Sequence, residues 1–170
     1  MTIRLLVEPD LPAYKALRDE CLRSAPEAFT SDYASSKDTP ASAYASRLGD
    51  ATTGRFVLGA FNDAGVLVGA IALERETRLH TQHRACVVGM MVAGSAQKQG
   101  MATKLVAKCV HMAMTLTNIE QLTLTVTASN RHVVRLYKRA GFVDYGLHTK
   151  AIKIGDTYFD KMAMRLELKR

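Results

Sequence analysis

Tryptophan is absent from this chain, and aromatic residues of all kinds make up only 6% of it. No run of five basic residues occurs either, although the formal net charge is +7. Single-stranded nucleic acid is typically bound in basic grooves where bases stack on aromatic side chains. The charge therefore favours anionic partners in general, phosphorylated cofactors included, while no motif supports a nucleic-acid surface.

Long apolar segments are also missing. No stretch of the chain approaches the roughly 18 apolar residues of a membrane-spanning helix. The N-terminal segment lacks the basic start and apolar run of a signal peptide. We therefore expect a cytoplasmic protein without membrane contact. The length of 170 residues and the hydrophobic content of 48% predict a single domain over residues 1–170.

Cysteine is scarce, and the three cysteines do not form a metal-binding pattern. Cys21, Cys86 and Cys109 are an odd number, and each lies in a segment with apolar periodicity, which favours buried free thiols. The five histidines include no pair at the four-residue spacing of helical metal ligands. We expect no metal site.

Residues 87–106 carry the strongest local pattern, an apolar strand followed by a short polar loop and the start of a helix. The loop fits Q/R-x-x-G-x-G/A, with Gln97, Gly100 and Ala102 at the defined positions. Backbone N–H groups of such a loop, together with the positive end of the helix, can bind an anion such as a diphosphate. A Cβ atom at Gly100 would hold that ligand off the backbone.

Two other phosphate-binding motifs do not fit this loop. The Walker motif ends in Gly-Lys-Ser/Thr, but Gly100 is followed by Met101. The dinucleotide-binding motif needs an acidic residue at the end of the next strand, whereas Glu120 precedes that strand. An ordinary strand-to-helix turn remains an alternative, because small residues before a helix are common.

Periodicity along the chain predicts an α/β layered domain around a mixed sheet. Asp10 is the predicted cap of the first helix, and residues 30–38 are predicted to form a loop. Helical spacing covers residues 10–25, 40–48, 100–118 and 130–140. Strand patterns cover residues 3–7, 55–61, 66–73, 84–92 and 122–127, with further candidates at 142–148, 149–154 and 157–168.

The predicted helix over residues 130–140 presents an amide and a phenol on one face. Asn130, Val134 and Tyr137 are spaced by four and three residues, so their side chains point in the same direction. In one interpretation Asn130 caps the helix and Tyr137 packs in the core. In the other, both side chains serve a site.

Taken together, these segments resemble the GNAT superfamily of acetyl-CoA-dependent N-acetyltransferases. The loop of residues 97–102 after Val92, the pair Asn130 and Tyr137, and the segment 136–142, which is similar to L-Y-x-x-x-G-F, match at the right spacing. The order of elements matches over essentially the whole chain. The resemblance implies a mixed, mostly antiparallel sheet of about seven strands flanked by four helices, with the two central strands splayed apart.

The resemblance also implies acetyl-CoA as the cosubstrate. Its pantetheine arm would pair with the end of the central strand and bond to Asn130, and the Tyr137 hydroxyl would approach its sulfur. A phenol with a reference pKa of about 10 can protonate a thiolate with a reference pKa of about 8.5. The implied cofactor-binding residues are Met90, Met91, Val92, Gln97, Lys98, Gln99, Gly100, Met101, Ala102, Thr103, Asn130 and Tyr137. The two methionines can equally fill the core.

The implied reaction is direct attack by a neutral primary amine on the bound thioester. N–H groups near Val92 would stabilise the oxyanion, and a carboxylate on or beside the central strand often serves as the base in this superfamily. The central strand here carries no carboxylate. Glu74 is the candidate base, with Glu76, His80 and His83 as alternatives; each is equally compatible with a solvated loop residue.

The acceptor would lie between the loop of residues 25–38 and the hairpin of residues 150–159, according to the same resemblance. Phe29, Tyr33, Tyr158 and Asp160 are the candidate acceptor-binding residues. Asp160 suits an amine's charge but also suits an exposed strand. The acceptor would be an amine of a small molecule or peptide, and a homodimer is common in proteins that this one resembles.

A catalytically silent CoA-binding sensor or interaction module is the alternative function. The missing carboxylate in the central strand favours this alternative, whereas the presence of Tyr137 argues against it.

Overall fold

The computed structural model describes residues 1–169. A single sheet of seven strands runs through it in the order β1-β2-β3-β4-β5-β7-β6. The strands are β1 (Thr2–Leu5), β2 (Arg55–Phe61), β3 (Leu67–Arg75), β4 (Arg84–Val92), β5 (Gln121–Thr127), β6 (Val143–Ile154) and β7 (Thr157–Glu167). The helices are α1 (Leu11–Ser24), α2 (Tyr33–Ser36), α3 (Ala45–Leu48), α4 (Met101–Thr115) and α5 (Arg131–Arg139).

All neighbouring strands are antiparallel except β4 and β5, which are parallel. This arrangement confirms the predicted mixed, mostly antiparallel sheet. Strands β2 and β3 are buried along almost their full length, because both of their faces are apolar. Within residues 1–169, no helix has the length and apolarity needed to cross a membrane.

The prediction of four helices was wrong, because five α-helices are present among residues 1–169. The additional helix α2 lies in the predicted loop and begins where Asp32 accepts a hydrogen bond from the Ser35 N–H at 2.8 Å. The predicted helix over residues 40–48 is instead a 3₁₀ turn at Ala41–Tyr44 followed by α3.

Asp10 does not cap α1 through its side chain, contrary to the prediction. Its carboxylate accepts from the Val7 N–H at 2.9 Å and forms a bidentate pair with Arg4, at 2.6 and 2.8 Å. Asp10 therefore joins β1 to the turn that precedes α1.

The two strand candidates at 142–148 and 149–154 form one strand, β6. Its register against β7 shifts between His148 and Ile152, where Lys150 has a φ of 53°. The Asp160 carboxylate accepts from the Lys150 N–H at 2.8 Å and stabilises this irregularity. A two-residue turn that includes Gly155, with a φ of 57°, connects β6 to β7 as predicted.

The three cysteines are free thiols, as predicted; Cys21 and Cys109 are buried, whereas Cys86 is only partly buried, contrary to the prediction. Burial raises the pKa of Cys21 to about 11 and that of Cys109 to about 12. Both thiols are therefore protonated near neutral pH and act as small apolar core residues.

The central strands β4 and β5 separate along their length, which confirms the predicted splay. Only Arg84–Cys86 of β4 pairs with β5, at residues 121–123. Further along, the register between β3 and β4 shifts opposite Ile71, and Gly89 of β4 has a φ of 61° there. This bulge twists β4 away from β5 and opens a cleft between them.

Candidate active site

The cleft between β4 and β5 has a volume of about 350 Å³. Its walls come from α1, the segment after α1, α3, α5 and strands β3, β4, β5 and β7. The lining residues are Arg18, Ala28, Phe29, Thr30, Ser31, Arg47, Glu74, residues 86–90, Thr125, Val126, Thr127, Asn130, Val133, Tyr137 and Lys161.

A wider depression of about 850 Å³ lies at the β1 edge of the molecule. Arg4, Phe61 and the turn after β2 line it, together with one face of α1. None of the predicted cofactor-binding residues lines this depression. The cleft between β4 and β5 is therefore the candidate active site.

The loop before α4 has the backbone conformation of an anion-binding site. Gly100 is the N-cap of α4 with a φ of 74°, and Lys98 has a φ of 62°. No side chain caps α4, so the first N–H groups of the helix remain available to a ligand. A Cβ atom added at Gly100 would meet nothing within 4 Å, which leaves the space above the backbone open.

Two amide side chains hold this loop in place. Gln97 Nε2 donates to the Val92 carbonyl oxygen at 3.4 Å, and Gln99 Nε2 donates to the Ser95 carbonyl oxygen at 3.1 Å. The Met101 side chain is buried in the core, so only its backbone faces the loop. Of the predicted cofactor residues 97–103, residues 97–100 therefore form an exposed loop, and residues 101–103 are the first turn of α4.

Asn130 and Tyr137 were predicted either to support the fold, as a helix cap and a core residue, or to line a site. The structure is compatible with both roles at once. Asn130 caps α5, accepting from the Val133 N–H at 3.4 Å. Tyr137 is only 4% exposed, and its ring packs edge-to-face on Phe142 with a centroid distance of 5.6 Å. Both residues also line the cleft. They can therefore stabilise the fold and contact a ligand together.

The Tyr137 phenol is held in its neutral form. Burial raises the pKa of Tyr137 well above its usual value, and the Cys109 and Cys86 thiols add to the effect. At neutral pH the hydroxyl is therefore a hydrogen-bond donor.

The end of β4 presents a backbone N–H group on the side where β5 has separated from it. Val92 lies opposite Gly69 of β3, and the next residue, Ala93, donates its N–H to the Val68 carbonyl oxygen at 2.9 Å. Because alternate residues of an antiparallel pair direct their N–H groups to opposite sides, the Val92 N–H points away from β3. Of the neighbouring methionines, Met90 lines the cleft, whereas Met91 is buried.

Glu74 supplies the carboxylate that β4 itself lacks. A Cβ atom at Gly69 would contact Leu105 and Met101 of α4. Glu74 is five residues further along the same strand, so its side chain projects from the opposite face of the sheet. It lies beside Cys86 of β4 and is the only carboxylate among the cleft-lining residues within 1–169.

The other base candidates do not line the cleft. Glu76 lies 3.9 Å from Arg84 and accepts from the Thr81 hydroxyl at 3.4 Å. His80 and His83 belong to the connection between β3 and β4.

Of the four predicted acceptor-binding residues, Phe29 alone lines the cleft in the described structure. The Tyr33 ring instead lies 5.1 Å from the Arg23 guanidinium, and the Tyr158 ring is 5.2 Å from the Lys150 ammonium. Asp160 accepts from the Lys150 backbone, as described above. These three side chains are placed on α2 and the β6–β7 hairpin, outside the cleft.

Three cationic side chains of the cleft were not predicted from the sequence: Arg18, Arg47 and Lys161. For Arg18 a signal exists, because it follows Tyr14 by four residues and precedes Cys21 by three. An arginine therefore stands on the apolar face of an amphipathic helix. Burial lowers the pKa of Lys161.

Comparison with known proteins agrees with this geometry. Residues 15–142 match the model of the acetyltransferase (GNAT) family. The chain belongs to this family. No curated protein is similar enough in sequence to count as a relative.

Several solved acetyltransferase structures share the fold. A GNAT acetyltransferase from Streptococcus pneumoniae has a TM-score of 0.85 at 18% identity, with 98% of each chain covered. The yncA protein of Salmonella typhimurium, solved with acetyl-CoA, has a TM-score of 0.84 at 18% identity, covering 100% of this chain and 95% of that one. A phosphinothricin acetyltransferase of Sinorhizobium meliloti, in complex with acetyl-CoA, has a TM-score of 0.84 at 16% identity. The match covers 98% of this chain and 88% of that one.

No metal-binding cluster was identified in the described part of the GNAT domain. Residues 1–169 hold no group of three or more His, Cys, Asp or Glu side chains placed to share an ion.

Proposed function

We propose that this GNAT protein is an N-acetyltransferase that transfers the acetyl group of acetyl-CoA to a primary amine by direct attack in a ternary complex. One observation carries the proposal: the cleft between β4 and β5 is lined by Tyr137 and Glu74, and the same strand β4 leads through a short loop to the uncapped start of α4. Acetyl-CoA supplies the acetyl group as a thioester, which is reactive toward a neutral amine.

The residues present fit acetyl-CoA. The N–H groups of residues 101–103 have no partner inside α4 and are the predicted diphosphate ligands. The open space above Gly100 admits the diphosphate, and the positive charge of Lys98 lies in the same loop. Asn130 and the free edge of β4 would hold the pantetheine arm, because β5 has already separated from β4 there.

Three groups of this chain would then act on the reacting atoms. Glu74 would accept the proton of the acceptor ammonium, directly or through water. The Val92 N–H would donate to the carbonyl oxygen as negative charge grows on it. The Tyr137 hydroxyl would donate to the departing sulfur.

The alternative, a CoA-binding sensor without catalysis, rested on the missing carboxylate in β4. The position of Glu74 in the cleft supplies a carboxylate from β3 instead and supports the enzyme. The test is to incubate the protein with acetyl-CoA and a panel of primary amines, measuring the release of CoA thiol and the mass of the products. Tight acetyl-CoA binding by calorimetry, with no CoA release on any amine, would favour the sensor.

We also propose a homodimer. The edge strand β6 exposes Val143, Tyr145 and Leu147, each more than half accessible, and an exposed edge with apolar side chains is a common site of association. Light scattering of the purified protein tests this proposal; a monomer at micromolar concentration would contradict it.

A further inference from the structure

Two guanidinium groups meet on one aromatic ring at the wall of the cleft. The Cζ atoms of Arg18 on α1 and Arg47 on α3 lie 5.6 and 5.8 Å from the centroid of the Tyr44 ring. A Cβ atom at Gly89 would come within 3.8 Å of an Arg47 Nη1 atom. The pair therefore lies beside the bulge of β4, next to the proposed reaction centre.

Arg18 has hydrogen-bonding capacity that the described protein does not use. The residue is only 6% exposed, its Nη2 donates to the Ser31 hydroxyl at 3.0 Å, and its buried Nε has no hydrogen-bond partner. No carboxylate among residues 1–169 forms an ion pair with Arg18 or Arg47. Burial of a cation without an anion is unfavourable, so an anionic ligand would stabilise this arrangement.

The diphosphate of the cosubstrate does not account for these cations. Its proposed site is the start of α4, and α4 packs on the sheet face opposite to the one from which Glu74 projects. Arg18 and Arg47 line the same cleft as Glu74. The remaining source of an anion for Arg18 and Arg47 is the acetyl acceptor, which would bind in this cleft.

The charges of the cleft also separate the classes of acceptor. Arg18, Arg47 and Lys161 supply three cationic side chains, against the single carboxylate of Glu74. A polyamine or an aminoglycoside would bring several positive charges to a wall that is already cationic. A molecule with one ammonium and one carboxylate is complementary to this cleft, because its carboxylate can pair with the cationic side chains and its ammonium with Glu74.

We propose that the acetyl acceptor carries a carboxylate, which binds Arg18 and Arg47 while the amine faces Glu74. The acceptor class is thus an amino acid or a similar zwitterion. A guanidinium presents its donors in a planar fork that matches a carboxylate. That this molecule is acetylated depends on the proposed acetyltransferase function, whereas the binding of its carboxylate to the two arginines does not.

The first test compares matched acceptors on the unmodified protein. Amino acids from glycine to 6-aminohexanoate are each assayed against their carboxamides, which keep the amine and lose the negative charge. We expect kcat/KM to be roughly 10- to 100-fold higher for the carboxylates, the range of a hydrogen bond to a charged group. Equal values for acids and amides would overturn the proposal and leave the acetyltransferase function standing. Aminophosphonates test whether any oxyanion suffices; equal use of them would widen the class and overturn the carboxylate assignment.

Arginine variants test whether Arg18 causes the preference for acids over amides. Arg18→Met should abolish the preference for acids over amides, and Arg18→Lys should restore part of it. The control is Arg23→Met, which removes a charge from the exposed face of the same helix and should leave the preference unchanged. Thermal melts establish that each variant is folded. An Arg18→Met protein that folds and keeps the full preference would overturn the proposal.

Measurements of acceptor binding distinguish the carboxylate site from the proposed acetyltransferase activity. Calorimetry of the CoA-saturated protein with the same acids and amides measures recognition without acetyl transfer. If no amine is acetylated but the acids bind and Arg18→Met abolishes binding, the carboxylate site stands and the proposed function falls. If acids and amides bind alike, the carboxylate site falls.

Discussion

Tyr137 is a buried core side chain to which we also assign a role in the proposed reaction. Its ring packs on Phe142, and the residue also lines the cleft. Because burial holds the pKa of this phenol far above its usual value, it stays protonated at neutral and mildly alkaline pH. We therefore expect no limb of the pH–rate profile to originate from Tyr137.

Replacement of Tyr137 by Phe should lower turnover more than cofactor affinity. The variant keeps the ring that packs in the core and loses the proton donor, and general acid catalysis is typically worth roughly 10²-fold or more. We expect kcat to fall by about that factor, with the acetyl-CoA dissociation constant from calorimetry little changed. The control is Tyr145→Phe, on the exposed strand β6. Unchanged turnover in Tyr137→Phe would remove this residue from the acid role.

Glu74 is the proposed general base, and its role can be tested separately from that of Tyr137. Glu74→Gln should lower kcat/KM at neutral pH by roughly 10²-fold, because the acceptor ammonium loses its proton acceptor. The deficit should shrink as the pH rises toward the acceptor's own pKa, about 10 for an alkyl amine. The control is Glu76→Gln, since Glu76 pairs with Arg84 outside the cleft. Equal losses in both variants at every pH would contradict the role of Glu74 as base.

At the scale of elements, the connection from β4 to α4 depends on backbone conformation. Gly100 and Gly65 provide a matched pair, with φ angles of 74° and 76° and no atom within 4 Å of an added Cβ. Gly65 lies in the turn between β2 and β3, whereas Gly100 begins α4. Any difference between alanine substitutions at these sites therefore reports on the ligand rather than on backbone strain.

Both Gly100→Ala and Gly65→Ala should cost about 1–2 kcal/mol of the free energy of unfolding, because alanine is strained at positive φ. Only Gly100→Ala should weaken acetyl-CoA binding, since the new methyl group occupies the space above the diphosphate loop. Urea denaturation measures the first quantity and calorimetry the second. Unchanged acetyl-CoA affinity in Gly100→Ala would count against the assignment of this loop.

At the scale of the whole molecule, Asp10 joins the first strand to the first helix, and it makes stability depend on pH. The Arg4 guanidinium, together with the Val7 N–H, holds the pKa of Asp10 below its usual value. A carboxyl group with a depressed folded-state pKa contributes stability above its unfolded pKa of about 3.9, and that contribution is lost as the pH falls through the folded-state value.

Asp10→Asn should therefore lower the free energy of unfolding at pH 7 by about 1 kcal/mol, the usual size of a half-exposed pair with one backbone bond. The difference from the unmodified protein should narrow toward pH 3 and below. Urea denaturation at both pH values measures it, with the exposed turn residue Asp156 replaced by Asn as the control. A difference that stays constant with pH would rule out the ionised pair as the cause.

The sequence by itself determined most of the strands and the two long helices of the second half, and it indicated the loop that we propose as the diphosphate site. Alternation in residues 122–127 and helical spacing in residues 100–118 depend only on neighbouring residues, so β5 and α4 could be predicted, the helix with an end three residues too late. Gln97 and Gly100 could be proposed as diphosphate ligands from the sequence alone, because an anion-binding loop is a local structure formed by consecutive backbone N–H groups. Asn130 and Tyr137 lie on one helix face, so their shared direction also followed from spacing.

The tertiary structure alone decided which side chains line the cleft. Glu74 and Arg18 enter one cleft because the bulge at Gly89 opens β4 from β5, and no local pattern records the contact between β3, β4 and α1. The same reason explains Tyr158 and Asp160, whose strand β7 pairs with β6 at the far edge of the sheet. Long-range pairing sets such positions, since residues distant in sequence meet only when the sheet has formed.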